Sequence, residues 1–497
     1  ESDKPKPIKM LSLDDNVVSC AKEGILPEAL GRAKKQIALF EVLSHGPVTL
    51  SKLKQEYSDV VIKGLVTKGL AQYVEVDKPS QALAWTLEKQ IDKPTPNVQQ
   101  AIAISAITQS LQQYTCFLIE GVTGSGKTEV YLRAIEKVLA NDQQVLVLVP
   151  EIGLTPQTIN RFVNRFDVPI AIFHSGLTDR ERLAAWTAAK DGVAGIIIGT
   201  RSAVFTPMAN AGLIIIDEEH DTSYKQQQPS PRYHSRDAAI YLASLHKAKV
   251  LLGSATPSIE TYYNAQNGKY GFVELLKRYA DIKLPKINAI DISRAYKKKQ
   301  MQSFLSNDLI NEMQRHLDRN KQIILFQNRR GYSKVLSCKS CGESVCCKYC
   351  SVSLTHHKIN NNLRCHYCGY IKEIPKSCSS CSDSSLEMKG YGTEQICELL
   401  EALFADHKIQ RMDHDTTRKK NAYEEIIQDF QALKIDILVG TQMIAKGFDF
   451  ENVSLVGIVD SDSMLNFPDF RSHERAFQLM SQVAGRAGRK NKQGSVY

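Results

Sequence analysis

One octet constrains this chain more than any other stretch: Gly121-Val122-Thr123-Gly124-Ser125-Gly126-Lys127-Thr128. It fits the phosphate-binding pattern G-x-x-x-x-G-K-[ST]. An apolar run, Phe117-Leu118-Ile119, leads into it, and a helical segment, Glu129 to Leu139, leads out. A strand, a glycine-rich turn and a helix in that order let backbone N–H groups close on phosphate oxygens at a helix N-terminus. The reading gives Gly121, Gly124, Gly126, Lys127 and Thr128 to the nucleotide, with Lys127 neutralising β/γ-phosphate charge and Thr128 holding Mg²⁺. ATP and Mg²⁺ are therefore expected ligands.

The rest of the chain fits such a fold. Continuous apolar runs recur between helical patterns: Val145–Val149, Ile170–Phe173, Gly195–Ile198, Leu213–Ile216 and Lys249–Leu252. Such runs suit parallel strands buried on both faces. A second set, Ile323–Phe326, Ile435–Val439 and Leu455–Val459, predicts a second α/β lobe. At 497 residues, 43% hydrophobic and 24% charged, the chain has room for about three domains. Disordered and collagen-like classes are excluded. No run of ~18 apolar residues predicts a membrane helix. The net charge of +9 permits a polyanionic partner without requiring one. The chain opens on Glu1 with no basic segment and apolar run behind it, so no signal peptide is expected. Its ends read as those of a piece of a longer protein.

Residues 1–25 read as a linker or remnant of an N-terminal region. Residues 26–90 read as a separate unit. Helical spacing runs over Ala33–Leu43, Leu50–Tyr57 and Val60–Lys68, and two alternating strands, Leu70–Val76 and Leu83–Leu87, would form a wing. That pattern predicts a winged-helix DNA-binding domain.

Ile214-Ile215-Ile216-Asp217-Glu218-Glu219-His220 places acids at the end of a buried strand. Asp217 suits a water-bridged Mg²⁺, and Glu218 suits activation of the attacking water. Twelve cysteines are present, and nine crowd between Cys338 and Cys381; Cys20, Cys116 and Cys397 stand apart. Cys338-x-x-Cys341, Cys347-x-x-Cys350, Cys365-x-x-Cys368 and Cys378-x-x-Cys381 supply eight thiolates, enough for two tetrahedral Zn²⁺ sites. An iron–sulfur cluster is the alternative metal reading. Cys346 fits neither set by spacing, and His356, His357 and His366 are substitute ligands.

With Gly253-Ser254-Ala255-Thr256-Pro257, Gly440–Asp449 and Gln482-Val483-Ala484-Gly485-Arg486-Ala487-Gly488-Arg489, the chain resembles the superfamily 2 helicases. The resemblance makes Arg486 and Arg489 arginine fingers on the γ-phosphate. It sharpens to the primosomal replication-restart helicases on Val149–Thr155, Phe173–Leu177, Gly199–Phe205, Phe326–Tyr332 and the cysteine block directly behind them. Matching motifs run from Asn97 to Arg489, about four fifths of the chain. That family's N-terminal domain for the 3′ end of a nascent strand, and its C-terminal domain, are not visible in this sequence.

The resemblance implies two RecA-like parallel-sheet lobes, an N-terminal winged helix and a zinc-binding insert in the second lobe. The boundaries expected are 91–275 for lobe 1, 276–335 with 385–497 for lobe 2, and 336–384 for the insert. It implies that Gln100 reads adenine, with Gln99 adjacent. It implies that Tyr224–Asp237 is an aromatic-rich loop that ties DNA binding to ATP hydrolysis. It suggests nested zinc pairing: Cys338, Cys341, Cys378 and Cys381 on one ion, and Cys347, Cys350, Cys365 and Cys368 on the other. The implied activity is ATP-dependent, DNA-stimulated 3′→5′ DNA unwinding at stalled or repaired forks, leading to primosome assembly. The implied partners are replication forks and D-loops, single-stranded DNA-binding protein, other primosome proteins and the replicative helicase loader, in the bacterial cytoplasm at the nucleoid, with no membrane. A double-strand translocase that does not unwind, and a zinc-bearing fork-binding scaffold, are the rival readings.

Overall fold

The computed structural model describes residues 8–14, 17, 27, 30–31, 33–44, 48–49, 53, 57–76, 83–84, 93–109, 115–151, 154–278, 283–328, 335–350, 353–357, 361–365, 368–389, 392–413, 416–417, 422–445, 450–465, 467, 469–488 and 493–497. The chain divides into two compact units, one of residues 1–84 with 177–185 and one of the remainder.

In the first unit a three-stranded antiparallel sheet has Ile8–Leu13 at its centre, between Val48–Thr49 and Ala71–Val76. The linker expected over residues 1–25 is thus corrected at Ile8–Leu13. Helices Lys34–Ser44 and Asp59–Thr67 bury Leu39, Phe40, Leu43, Ile62 and Leu65 with Leu11 and Leu13 of that strand. The expected wing also differs. Ala71–Val76 pairs with Ile8–Leu13, and Leu83–Ala84 lies outside this sheet. Of the helix expected over Leu50–Tyr57, most lies outside the described residues.

The second unit carries both α/β lobes. In lobe 1 the parallel strands run in the order Gly271–Leu275, Cys116–Gly121, Lys249–Ser254, Ala211–Asp217, Gln144–Leu148, Ile196–Gly199, Ile170–Phe173. The apolar runs explain the inner strands: Gln144–Leu148, Ile196–Gly199 and Lys249–Ser254 are buried at every position. Gly271–Leu275 was not expected, because an edge strand alternates and shows no continuous apolar run. Helix starts follow local chemistry. Asn97 and Gln100 form a capping box on Val98–Thr108, and Thr155 caps a helix that has Pro156 in its first turn.

Lobe 2 is a second parallel sheet, ordered Lys286–Ile287, Ser495–Val496, Val453–Val459, Gln322–Gln327, Ile437–Gly440, Ile409–Met412. Both lobes are RecA-like parallel sheets. Along the chain, a five-stranded antiparallel insert stands between Gln322–Gln327 and Ile409–Met412. Its base pairs Val335–Cys338 with Leu386–Lys389, so its sheet extends a little beyond 336–384 on either side. The insert has its own small core of Leu336, Val345, Cys347, Leu354, Leu363 and Cys365. Among the described residues, no helix is long and apolar enough to cross a membrane.

Candidate nucleotide cleft and cysteine sites

The phosphate loop leaves strand Cys116–Gly121 and enters helix Lys127–Leu139. Gly124 (φ +84°) and Gly126 (φ +82°) sit in left-handed backbone, which glycine adopts without penalty. The Lys127 ammonium donates to the Gly121 carbonyl across the mouth of the loop at 2.7 Å. Thr128 follows it in the first helical turn.

Gln100 is buried beneath this loop. Its Oε1 accepts the Asn97 N–H at 2.9 Å, and its Nε2 donates to the Ser125 carbonyl at 2.9 Å. One end of the amide thus caps its own helix, and the other braces the loop. Gln99 accepts the Lys277 N–H at 3.1 Å.

Asp217 ends its strand facing Lys127 and accepts from the Tyr131 hydroxyl at 3.1 Å. Burial and the neighbouring Glu218 charge push its carboxyl up to about 6, against the opposing pull of Lys127 and the Tyr131 hydrogen bond. A side chain on Gly253 would collide with the Tyr131 hydroxyl, so this glycine makes the Tyr131–Asp217 contact sterically open. Glu218 turns into left-handed backbone (φ +49°), away from the strand direction.

Sequence patterning did not single out Glu219. It is fully buried and gathers four donors: Ser258 N–H (2.7 Å), Ser258 Oγ (3.1 Å), Thr261 Oγ1 (2.9 Å) and the Arg236 guanidinium (2.9 Å). Arg236 closes the Tyr224–Asp237 segment, so the loop is tied through Glu219 to the segment after Thr256-Pro257. The only sequence signal was a third acid in a row. The first aromatic of that loop, Tyr224, is also buried, with its hydroxyl on the Asp217 carbonyl at 2.7 Å. Its ring is structural and not a free stacking face. Tyr233 packs edge-on against Phe205.

Lobe 2 meets this machinery directly. Gln482 Nε2 lies 2.9 Å from His220 Nε2 and 3.4 Å from Glu218 Oε2. His220 Nδ1 is 2.7 Å from Ser254 Oγ, so the acid cluster, the Ser254 turn and the lobe 2 helix share one chain of contacts. A Cβ on Gly485 would lie 2.7 Å from Thr123 Oγ1, which sets the turn bearing half-buried Arg486 against the phosphate loop. Arg489 lies outside the described residues, as do Lys446–Asp449 and Arg329–Tyr332. Gln442 donates to Asn328 Oδ1 at 3.3 Å beside a cavity of about 370 Å³ that His220, Thr222 and Gln227 line from lobe 1. At the rim, Arg471 pairs with Glu260 and holds its carboxyl down to about 2, and Glu474 accepts the Ile259 N–H at 3.0 Å.

The cysteines gather in two sets: Cys338, Cys341, Cys378, Cys381, and Cys347, Cys350, Cys365, Cys368. Within each set all sulfurs lie within 4.8 Å of one another. The Cys338–Cys381, Cys341–Cys378 and Cys347–Cys368 separations are 3.5, 3.6 and 3.6 Å. Four thiolates at about 2.3 Å from a tetrahedral Zn²⁺ would stand about 3.8 Å apart, so the donor type and spacing fit zinc. Disulfides, at about 2.05 Å, do not fit. The nested pairing is the one found.

Three knuckles share a backbone turn. Gly342, Gly369 and Ser382, each after the second cysteine, are left-handed and donate N–H to the carbonyl of the first cysteine at 2.9, 3.0 and 2.9 Å. Cys346 belongs to neither set, and His356 instead lies 3.1 Å from Asn361 Oδ1. His366 lies outside the described residues, and the side chain of His357 is likewise not described.

Comparison with known proteins agrees with this layout. Residues 97–265 match the DEAD/DEAH box helicase family, 385–491 the helicase conserved C-terminal domain, and 347–372 the PriA DNA helicase Cys-rich region. Replication restart protein PriA of Haemophilus influenzae is 44% identical over 97% of this chain and 65% of its own length. The Bacillus subtilis protein of the same name is 40% identical over 96% of this chain and 60% of its own. That of Synechocystis is 42% identical over 88% and 53%. The chain thus spans less than two thirds of the length of these relatives.

Proposed function

The chain belongs to the PriA family of replication restart proteins, and from that premise we propose that it is the motor of an ATP-dependent 3′→5′ DNA helicase that opens stalled or repaired forks and starts primosome assembly. The observation that carries the motor reading is the reach of Gln482 from lobe 2 to Glu218 and His220 beside the phosphate loop. It joins both sets of motifs in one cleft.

In this reading Lys127 and the loop N–H groups bind the phosphates. Thr128 and Asp217 would hold Mg²⁺, which supplies charge neutralisation at the β/γ-phosphates. Glu218 orients and deprotonates the attacking water. Arg486 and Arg489 meet the charge that develops on the γ-phosphoryl group. Lobe closure and release around the nucleotide then move the tracking strand, and the Arg236–Glu219 link passes the state of the Tyr224–Asp237 loop to the cleft. The two cysteine sets would hold two structural zinc ions that fold the insert. The N-terminal unit, with Ile8–Leu13 as its central strand, serves as a DNA-binding domain. Branched DNA, single-stranded DNA-binding protein, other primosome proteins and the replicative helicase loader are the partners this reading supplies.

The test is ATPase with and without DNA, strand displacement on a forked duplex, and fork binding, each for the wild type and Lys127→Ala. Lys127→Ala should lose ATPase and displacement about 10²-fold or more, with fork affinity within about threefold, because affinity for DNA comes from contacts elsewhere. Equal loss of fork binding in the folded variant refutes that separation. DNA-stimulated ATPase without displacement would favour a translocase, and absent ATPase a scaffold.

A further inference from the structure

Arg278 has no place in the motifs read from the sequence, yet it spans the cleft. Its backbone follows edge strand Gly271–Leu275, which pairs in parallel with the strand that feeds the phosphate loop, Leu275 opposite Gly121. The Leu275 carbonyl also accepts the Val122 N–H at 3.2 Å. The Arg278 side chain passes the loop, with its Cγ 3.9 Å from where a Cβ on Gly124 would stand. Its guanidinium then crosses to lobe 2. One nitrogen donates to the Gly488 carbonyl at 3.0 Å and another to the Gly485 carbonyl at 3.4 Å. The side chain is buried throughout.

Those two carbonyls bracket Arg486. They belong to the turn that leaves helix Ser472–Ala484, where Gly485 is the C-cap and Gly488 (φ +73°) reverses the chain. The turn is further pinned by Arg486 N–H to Val483 O and Gly488 N–H to Val453 O, each at 3.0 Å. Carbonyls at a helix C-terminus carry the negative end of the dipole, and a buried guanidinium with donors in a rigid fork complements two of them at once. Lysine has no such fork.

We propose that Arg278 is a positioning residue for ATP hydrolysis: it clamps the Gly485–Gly488 turn to the phosphate loop and so sets the register of Arg486 toward the γ-phosphate. This rests on the reading of Arg486 as an arginine finger. A turn set loose by about an ångström costs transition-state alignment, on the order of 10²-fold in rate, while leaving nucleotide binding to the loop.

The experiment compares wild type, Arg278→Ala, Arg278→Lys, Arg486→Ala and Arg278→Ala/Arg486→Ala in DNA-stimulated ATPase, together with affinity for ADP and for ADP with aluminium fluoride. Arg278→Ala should lower kcat about 10²-fold with KM for ATP within about threefold. It should weaken the aluminium fluoride complex but not ADP. Arg278→Lys should remain impaired, and free guanidinium should partly restore Arg278→Ala at concentrations that leave the wild type unaffected. The double variant should be no slower than Arg486→Ala, because one residue acts through the other. Normal kcat in Arg278→Ala, full rescue by lysine, or losses that multiply in the double variant would each overturn the clamp. Unimpaired Arg486→Ala would instead overturn the finger reading on which the clamp depends. If Arg278→Ala does not fold, Arg278→Lys and its double variant with Arg486→Ala carry the same comparison.

Discussion

Glu219→Gln keeps the shape of the side chain and removes only its charge and one acceptor. In the wild type, Oε1 takes the Ser258 N–H, while Oε2 takes Arg236, Ser258 Oγ and Thr261 Oγ1. A glutamine must place its NH₂ at one of these two positions. There it faces either the Ser258 N–H or the Arg236 guanidinium, neither of which can turn into an acceptor, although the hydroxyls can. With the NH₂ at the first position the Ser258 N–H is stranded, at about 1–3 kcal/mol; at the second, Arg236 keeps Ser258 Oγ and Thr261 Oγ1 as acceptors, at 2.6 and 3.1 Å, but meets an NH₂ where it had a carboxylate. In either orientation Arg236 loses its buried counter-ion, and the acid left beside it is exposed Asp237, at 3.0 Å. Together the loss is about 3 kcal/mol, the low end for breaking a buried pair.

Because Ser258 caps helix Ile259–Gln266, and Ile259 N–H reaches Glu474 of lobe 2, the loosening falls on the segment that joins loop, acids and second lobe. Hydrogen exchange at residues 258–261 should quicken about 10²-fold, the equivalent of about 3 kcal/mol. DNA stimulation of ATPase should fall more than the DNA-independent rate. Exchange within about threefold of wild type, with normal stimulation, would refute the view that Glu219 holds this junction.

Three further outcomes follow from the same geometry. Asp217 has its carboxyl raised from 3.8 to about 6, so its favourable contribution is complete below about pH 3.8 and is lost as the pH rises through about 6. Asp217→Asn should therefore stabilise the nucleotide-free protein at pH 8 by up to about 3 kcal/mol, less in proportion to the residue's partial exposure, with the gain narrowing toward pH 4 while ATPase is lost; equal thermal midpoints for both proteins at pH 8 would count against it. Cys347→Ala should lower bound metal from two zinc ions to one and unsettle the insert core to which Cys347 belongs, sparing most DNA-stimulated ATPase while strand displacement falls; metal analysis and both assays on one preparation decide this, and two retained zincs would contradict it. Ser382→Gly relieves left-handed backbone (φ +60°) where two other knuckles have glycine, a gain of about 0.5 kcal/mol after the added freedom of the unfolded chain is subtracted; zinc extraction by a competing chelator should slow, and unchanged extraction would show that the turn is not strained.

Much of this protein was legible in its residues because the signals are local. A strand buried on both faces must be apolar throughout, so Val145–Leu148, Ile196–Ile198 and Leu213–Ile216 declared themselves. A loop that lets backbone approach phosphate must have glycines at fixed offsets, and a thiolate pair on one ion needs its C-x-x-C. Where a residue answers to partners distant in sequence, the chain alone was mute or misleading. Gly271–Leu275 and Ile409–Met412 are edge strands whose alternation or polarity hides them. Ile8–Leu13 is a central strand only because its partners arrive about 40 and 60 residues later. Gln100 faces Ser125, Glu219 faces Arg236, and Arg278 faces Gly485 and Gly488, across separations that no periodicity spans. The cysteine spacing gave four knuckles. Which knuckles share an ion was decided by tertiary register: Cys338 pairs opposite Leu386, which carries the first and last knuckles to the same end of the insert sheet and leaves the inner two to each other.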